Sequence, residues 1–111
     1  MATVINLRQA PRELRLRCVK IDRTSRWGNP FVVGKHGTRE QVIAAYRKHL
    51  WKQVQSGAVT LPELAALDGQ FLGCWCAPAA CHGHVLAQAA IWAKTELAAK
   101  GPRFEWRDLI R

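Results

Sequence analysis

The chain has 111 residues, of which 49% are hydrophobic and 23% charged, and its formal net charge is +9. This length suits a single folded domain, and the composition excludes a disordered chain. No apolar run reaches the roughly 20 residues of a membrane-spanning helix, and the arginine-rich start lacks the apolar segment of a secretory signal. We therefore expect a cytoplasmic protein with no membrane partner.

The basic residues are concentrated in the first half of the chain. The first sixty residues carry twelve Lys or Arg and three acidic side chains, so they account for the whole net charge. Clustered cations favour a polyanionic partner, because contact with phosphates releases counterions. The pattern predicts a nucleotide or nucleic acid as partner. An equally weighted alternative is a basic surface that serves only solubility.

The first predicted elements are two short strands. Residues Thr3–Leu7 and Arg17–Asp22 have strand-like composition, and Cys18 fits a half-buried position in the second. Residues Arg8–Leu16 contain Pro11 and several arginines, which predicts a connecting loop or a single helical turn.

The next stretch, Arg23–Phe31, is predicted to be an irregular loop. Gly28-Asn29-Pro30 is a turn signature, since glycine permits positive φ and proline restricts the residue before it. Guanidinium, hydroxyl, indole and amide groups together suit binding of a phosphate and a base. The candidate ligand-binding residues are Arg23, Ser25, Arg26, Trp27, Gly28 and Asn29. In the alternative, Trp27 and Phe31 fill the core and the arginines are solvated.

Helices are predicted over residues 38–56, from Thr60 to about Asp68, and over 84–100. The first two begin with capping boxes, and the last ends at Gly101-Pro102. Between the second and third of these helices, residues 71–76 form an apolar run typical of a buried strand. We expect a single α/β domain over residues 1–111, with a small sheet that contains this strand and the two main helices packed against it.

A cluster of cysteine and histidine follows that strand. Because alternate residues of an extended chain share a face, Cys74 and Cys76 should point the same way. Cys81 and His82 lie just before the last helix. These side chains are ligands that zinc prefers, so Cys74, Cys76, Cys81 and His82 are the predicted metal ligands, with His84 as a spare.

The same cluster admits two other interpretations. A thiolate at a helix start is stabilised by the helix dipole and can act as a nucleophile, which makes Cys76, Cys81 and His82 the candidate catalytic residues. In the remaining interpretation the sulfurs are simply buried. The spacing of these cysteines, in a chain expected to be intracellular, favours metal binding over a reactive thiol or simple burial.

Two motifs in the chain, the loop that ends in Gly-Asn-Pro-Phe and the Cys-x-Cys…Cys-His segment, resemble the DUF4326 family. Its members are small proteins of bacteria and their phages. The resemblance spans roughly residues 3 to 93 and rests on Arg23–Phe31, Thr38–Tyr46, Leu72–Pro78 and Cys81–Leu86. It implies that the two motifs form one functional unit and that a phage or prophage context is plausible, but it supplies no reaction. The family commonly has an acidic residue where this chain has His84 and glycine where it has Asp22.

Two function classes follow from these observations. In the first, the chain is an enzyme that acts on a nucleotide, nucleoside or modified nucleic acid through the zinc or thiol site and the arginine-containing loop. In the second, it is a nucleic-acid-binding module with a structural zinc. We also predict that the Arg23–Phe31 loop lies against the Cys76–His84 segment, because the carboxyl end of a strand and the start of the following helix form a crevice in α/β proteins.

Overall fold

Three short parallel strands form the centre of the fold in the computed structural model, which describes residues 1–22, 24–75 and 81–100. The strands are β1 (Thr3–Asn6), β2 (Val19–Lys20) and β3 (Phe71–Cys74), in the order β1-β3-β2. Of these three strands, the third in sequence is therefore the central one and pairs on both sides. The predicted second strand is shorter than expected, and β3 ends at Cys74, before the predicted end of the cysteine strand.

The central strand is fitted tightly to its neighbours. Leu72 lies opposite Val4 of β1 and Val19 of β2. A Cβ atom on the next residue, Gly73, would lie 2.6 Å from Leu7 Cδ2 and 2.8 Å from Cys18 Sγ. Only glycine allows this close approach, because any side chain would overlap both neighbours.

The described residues also form four helices around the sheet: α1 (Arg12–Arg17), α2 (Arg39–Ser56), α3 (Leu61–Ala65) and α4 (His82–Lys100). The predicted α/β class, with a small sheet and two main helices, is confirmed. No helix in the described ranges is long and apolar enough to cross a membrane.

The two predicted capping boxes are both present. The Thr38 side chain accepts a hydrogen bond from Gln41 N, and the Gln41 side chain accepts one from Thr38 N. Thr60 and Glu63 form the same pair of bonds at the start of α3. These bonds satisfy backbone N–H groups that a helix start otherwise leaves without partners, which is why the sequence pattern located both helix starts.

The core lies between the sheet, α2, α3 and α4. Its largest fully buried side chains are Tyr46, Ile21, Leu61, Leu64, Leu72, Leu86 and Cys74. Helix α4 packs against α3, α2 and β1, and its Ala90 and Ala93 are completely buried. Small side chains on this face let α4 approach its neighbours closely.

Candidate functional site

A cavity of about 360 Å³ lies where both sequence motifs meet. Its lining comes from the segment after β2, the start of α2, the end of β3 and the start of α4. The lining residues are Asp22, Thr24, Asn29, Phe31, Val33, Arg39, Val42, Ile43, Cys74, Trp75, Cys81 and His82. Because Asp22 follows β2 and Cys74 ends β3, the cavity lies at the carboxyl edge of the parallel sheet, the usual place for a ligand in such folds.

The two described cysteine sulfurs of the motif lie side by side in this cavity. Cys74 Sγ and Cys81 Sγ are 3.5 Å apart, and both residues are buried. Cys81 immediately precedes α4, and its sulfur accepts a hydrogen bond from Gly83 N at 3.3 Å. This bond and the positive end of the helix dipole both stabilise negative charge on that sulfur. Helix α4 therefore begins two residues earlier than predicted, with Cys81 in the capping position.

Glycine at position 83 allows this helix start to lie close to the sheet. A Cβ atom there would lie 2.8 Å from Ile21 Cδ1 and 3.2 Å from Cys81 Sγ. A larger residue at position 83 would press on the Cys81 sulfur, which accepts a hydrogen bond from the backbone N–H of that same position. The Cys-His-Gly sequence is thus explained by packing around Cys81.

His82 is buried beside the two sulfurs. Its Nε2 lies 2.6 Å from Ile21 O, and because a carbonyl oxygen only accepts, Nε2 carries the proton. The ring packs against Tyr46 with centroids 4.8 Å apart. Burial lowers the pKa of His82 below its ordinary value, although the main-chain groups of Ile21 and Trp27 and the nearby Cys74 act against this. Burial thus disfavours the charged form of the ring, and the donation to Ile21 O fixes its orientation beside the sulfurs.

The lowered pKa of His82 predicts a loss of stability in mild acid. The unfolded chain takes up this proton near pH 6.5, whereas the folded chain does so only at lower pH. The stabilisation is thus complete above pH 6.5 and is lost as the pH falls through the folded pKa. Urea unfolding between about pH 5 and 8 should show a steeper acid-side loss for the wild type than for His82→Gln. Equal pH dependence in both proteins would contradict this assignment.

The predicted zinc ligands are brought together only in part. Two thiolates on one tetrahedral zinc lie about 3.8 Å apart, since zinc–sulfur bonds are about 2.3 Å long. The Cys74 and Cys81 sulfurs are close to that separation. Among the described residues no group of three or more His, Cys, Asp or Glu side chains is arranged to hold a metal. Cys76 lies outside the described residues, so the four-ligand zinc site stays a prediction.

Trp75 forms part of the cavity wall and is held in place by Asp22. The indole Nε1 donates to Asp22 Oδ2 at 3.2 Å, while Thr24 N and Thr24 Oγ1 donate to Asp22 Oδ1. The hydrogen bond from the Thr24 side chain is the main reason that the pKa of Asp22 is lowered. Trp75 remains 55% exposed. The wall thus offers a fixed aromatic ring beside an ionised carboxylate.

Most of the predicted ligand-binding residues of the loop make contacts within the protein instead. Ser25 Oγ donates to Asp22 O and accepts from Trp27 N, and Gly28 N donates to Ser25 O. Arg26 pairs with Glu63 and donates to Ala58 O at 2.9 Å. These four loop residues, Ser25, Arg26, Trp27 and Gly28, do not line the cavity.

Trp27 has the role that the structural alternative assigned to it. Its side chain is 8% exposed and belongs to the core, and its carbonyl accepts from Tyr46 Oη at 2.9 Å. Arg26 lies over the indole, with the guanidinium carbon 5.0 Å from the ring centroid. Arg23, the remaining loop residue predicted to bind a ligand, lies outside the described residues.

Asn29 is the predicted loop residue that does line the cavity. Its Oδ1 accepts from Phe31 N at 2.9 Å, and its Nδ2 donates to Val42 O at 3.3 Å. Asn29 therefore shapes the turn before Phe31 and fastens the loop to α2. Within the described residues, the loop and the Cys81–His82 part of the second motif share one cavity, as the predicted contact between the two motifs requires.

Three further lining residues, Asp22, Trp75 and Arg39, are not among the site residues predicted from the sequence. Asp22 lies two residues after β2, and the rule that ligands bind at the carboxyl ends of strands could have identified it. Trp75 alternates with Cys74 along the extended chain and so points away from the core. Arg39 is the first residue of α2, and only the folded structure shows that this helix start faces the cysteines.

Comparisons with known proteins agree with the resemblance of the two motifs. The family model DUF4326, described as a domain of unknown function, matches residues 5–92. The chain is 41% identical over 70 residues to an uncharacterised 12.4 kDa protein of the nrdA-td intergenic region of Enterobacteria phage T4. That match covers 62% of this chain and 63% of the phage protein. No solved structure matches the chain. Because the family model covers most of its length, the chain belongs to the DUF4326 family.

Proposed function

We propose that the chain is an enzyme that acts on a nucleotide, a nucleoside or a modified nucleic acid in the cavity at the carboxyl edge of the sheet. The observation that carries the proposal is the shared lining: Asn29 and Phe31 of one motif face the same space as Cys74, Cys81 and His82 of the other. A volume of about 360 Å³ is within the range of small-ligand sites.

The lining supports a planar ligand that carries both donors and negative charge. Phe31, Val42, Ile43 and Trp75 supply apolar surface for a ring. The ionised Asp22 accepts hydrogen bonds, as the amino groups of a base would provide, and Arg39 attracts a phosphate. Together these groups fit a nucleotide better than a purely apolar ligand.

The reacting groups in this proposal are the paired sulfurs and His82. Cys81 receives the Gly83 N–H and lies at the helix start, so charge on its sulfur is stabilised. His82 lines the same cavity and is fixed by its Nε2 donation to Ile21 O; in this proposal it transfers a proton or serves as a metal ligand. A zinc ion held by Cys74, Cys81 and further ligands would supply a Lewis acid at the same place.

Calorimetry with nucleosides and nucleoside monophosphates tests the cavity. We expect at least one of these compounds to bind, and Trp75→Leu to weaken its binding roughly tenfold, because base–aromatic stacking contributes about 1–3 kcal/mol. The matched control is Leu16→Ala, which removes an exposed apolar side chain of α1 outside the cavity. Equal loss in both variants, or binding by no compound of the panel, would contradict the proposal.

A further inference from the structure

A second depression on the molecule lies between α2 and α4. It encloses about 320 Å³ and is lined by Arg47, Leu50, Trp51, Val85, Gln88, Ala89 and Trp92. None of these residues lines the cavity. Both helices begin at the cavity, and Arg47 follows Arg39 by eight residues, so this groove begins about 12 Å further along α2.

Two indole rings dominate this groove. The Trp51 and Trp92 rings meet edge to face, with centroids 5.6 Å apart and planes at 67°. Trp51 is 48% exposed, and Trp92 is partly buried against the core. An exposed indole of this kind, held by a second ring, presents a rigid aromatic face to solvent. Contacts within the described residues thus leave about half of the Trp51 side chain uncovered.

Cations surround the rings. Arg47 and Trp51 are four residues apart on α2 and so lie on the same side of the helix, while Lys48 and Lys52 form the adjacent row. All three cations are exposed, and in the described ranges no carboxylate forms an ion pair with any of them. The groove therefore combines aromatic surface with three cations that no ion pair in the described ranges neutralises.

We infer that this groove binds single-stranded nucleic acid, with a base against Trp51 and phosphates at Arg47, Lys48 and Lys52. Proteins that bind single strands combine aromatic stacking surfaces with a basic track in this way. Duplex bases are stacked on one another and cannot reach an indole. A second copy of the chain fits poorly, because a twofold contact would place these cations against their own equivalents. The inference does not depend on the chemistry of the cavity.

Fluorescence anisotropy with a short labelled oligothymidylate tests the groove. We expect Trp51→Leu to weaken binding about 5- to 100-fold, since a stacked base is lost. Arg47→Gln should weaken binding less and should reduce the slope of log K against log salt by about 0.7, the effect of one phosphate contact. Arg15→Gln, which removes one exposed cation from α1, should leave both quantities nearly unchanged.

Several results would overturn the inference. One is binding that is unaffected by Trp51→Leu and Arg47→Gln, and another is an equal effect of Arg15→Gln, which would indicate a general charge effect. A loss caused by Trp75→Leu alone would move the oligonucleotide to the cavity. Binding to phosphatidylglycerol vesicles that Trp51→Leu abolishes, without loss of oligonucleotide binding, would assign the groove to a membrane surface instead.

Discussion

Replacing Leu72 with alanine is expected to lower the free energy of unfolding by about 2–5 kcal/mol. Leu72 has no exposed surface and lies in the middle of the central strand, opposite Val4 and Val19. Truncation removes buried apolar surface and leaves a cavity that paired strands on both sides cannot easily close. Equilibrium urea unfolding with a common slope for both proteins measures the change.

The matched control for this change is Leu16→Ala. Leu16 lies on α1 and is 74% exposed, so the same chemical substitution should change the free energy of unfolding by less than about 0.5 kcal/mol. If the two variants lost similar stability, the placement of β3 at the centre of the sheet would be wrong. Cys74 lines the cavity and lies two residues from Leu72 on the same strand. The Leu72 variant therefore also tests whether the structure of the cavity depends on an intact β3.

Where local chemistry determines the structure, the sequence predicted the fold well. The capping residues Thr38 and Thr60 bind backbone groups only three residues away, so four-residue patterns were enough to locate both helix starts. The same holds for the buried face of α2, where Val42, Tyr46, Leu50 and Val54 recur at helical spacing. These features depend little on the rest of the chain.

Where distant contacts decide, the prediction was less complete. Residues Arg12–Arg17 form a helix without a side-chain cap, a case that leaves no capping signal in the sequence. Strand β2 is limited to two residues, because its length depends on pairing with β3, more than fifty residues away. The strand order, with β3 between β1 and β2, also follows from long-range pairing that composition does not encode.

The candidate site shows the same division. Clustering in sequence identified Cys74, Cys81, His82 and Asn29, all of which line the cavity. The neighbouring Arg26 and Trp27 have the same kinds of side chain that bind ligands elsewhere, yet here they contact Glu63 and the core. Whether an arginine faces a ligand or a glutamate 37 residues away depends on the tertiary fold. Residue type alone therefore could not separate the two roles.

The paired sulfurs leave two chemical hypotheses for the same cavity. Their separation of 3.5 Å suits two ligands of one zinc ion, and the Nε2 contact of His82 with a main-chain carbonyl resembles the outer hydrogen bond of metal-binding histidines. The Gly83 N–H and the start of α4 instead favour a reactive Cys81 thiolate. Both hypotheses require Cys81, whereas only the first requires a metal.

We expect protein purified without a chelator or a metal-affinity tag to carry about one zinc ion per chain, with four ligands that include Cys81. Cys81→Ser should lower the zinc content to less than about a tenth of an equivalent and reduce turnover of any substrate roughly a thousandfold or more, since the reacting group itself is removed. Elemental analysis and single-turnover kinetics provide the two measurements.

The matched control is Cys18→Ser. Cys18 is a half-buried free cysteine beside Gly73 whose sulfur donates to Arg15 O, and it does not line the cavity. Its replacement should leave zinc content and turnover unchanged. Wild-type protein without metal, combined with rapid alkylation of Cys81 that a bound nucleotide slows, would reject zinc and assign the chemistry to the thiolate. Full activity in Cys81→Ser would reject both hypotheses, because each of them places this sulfur among the reacting groups.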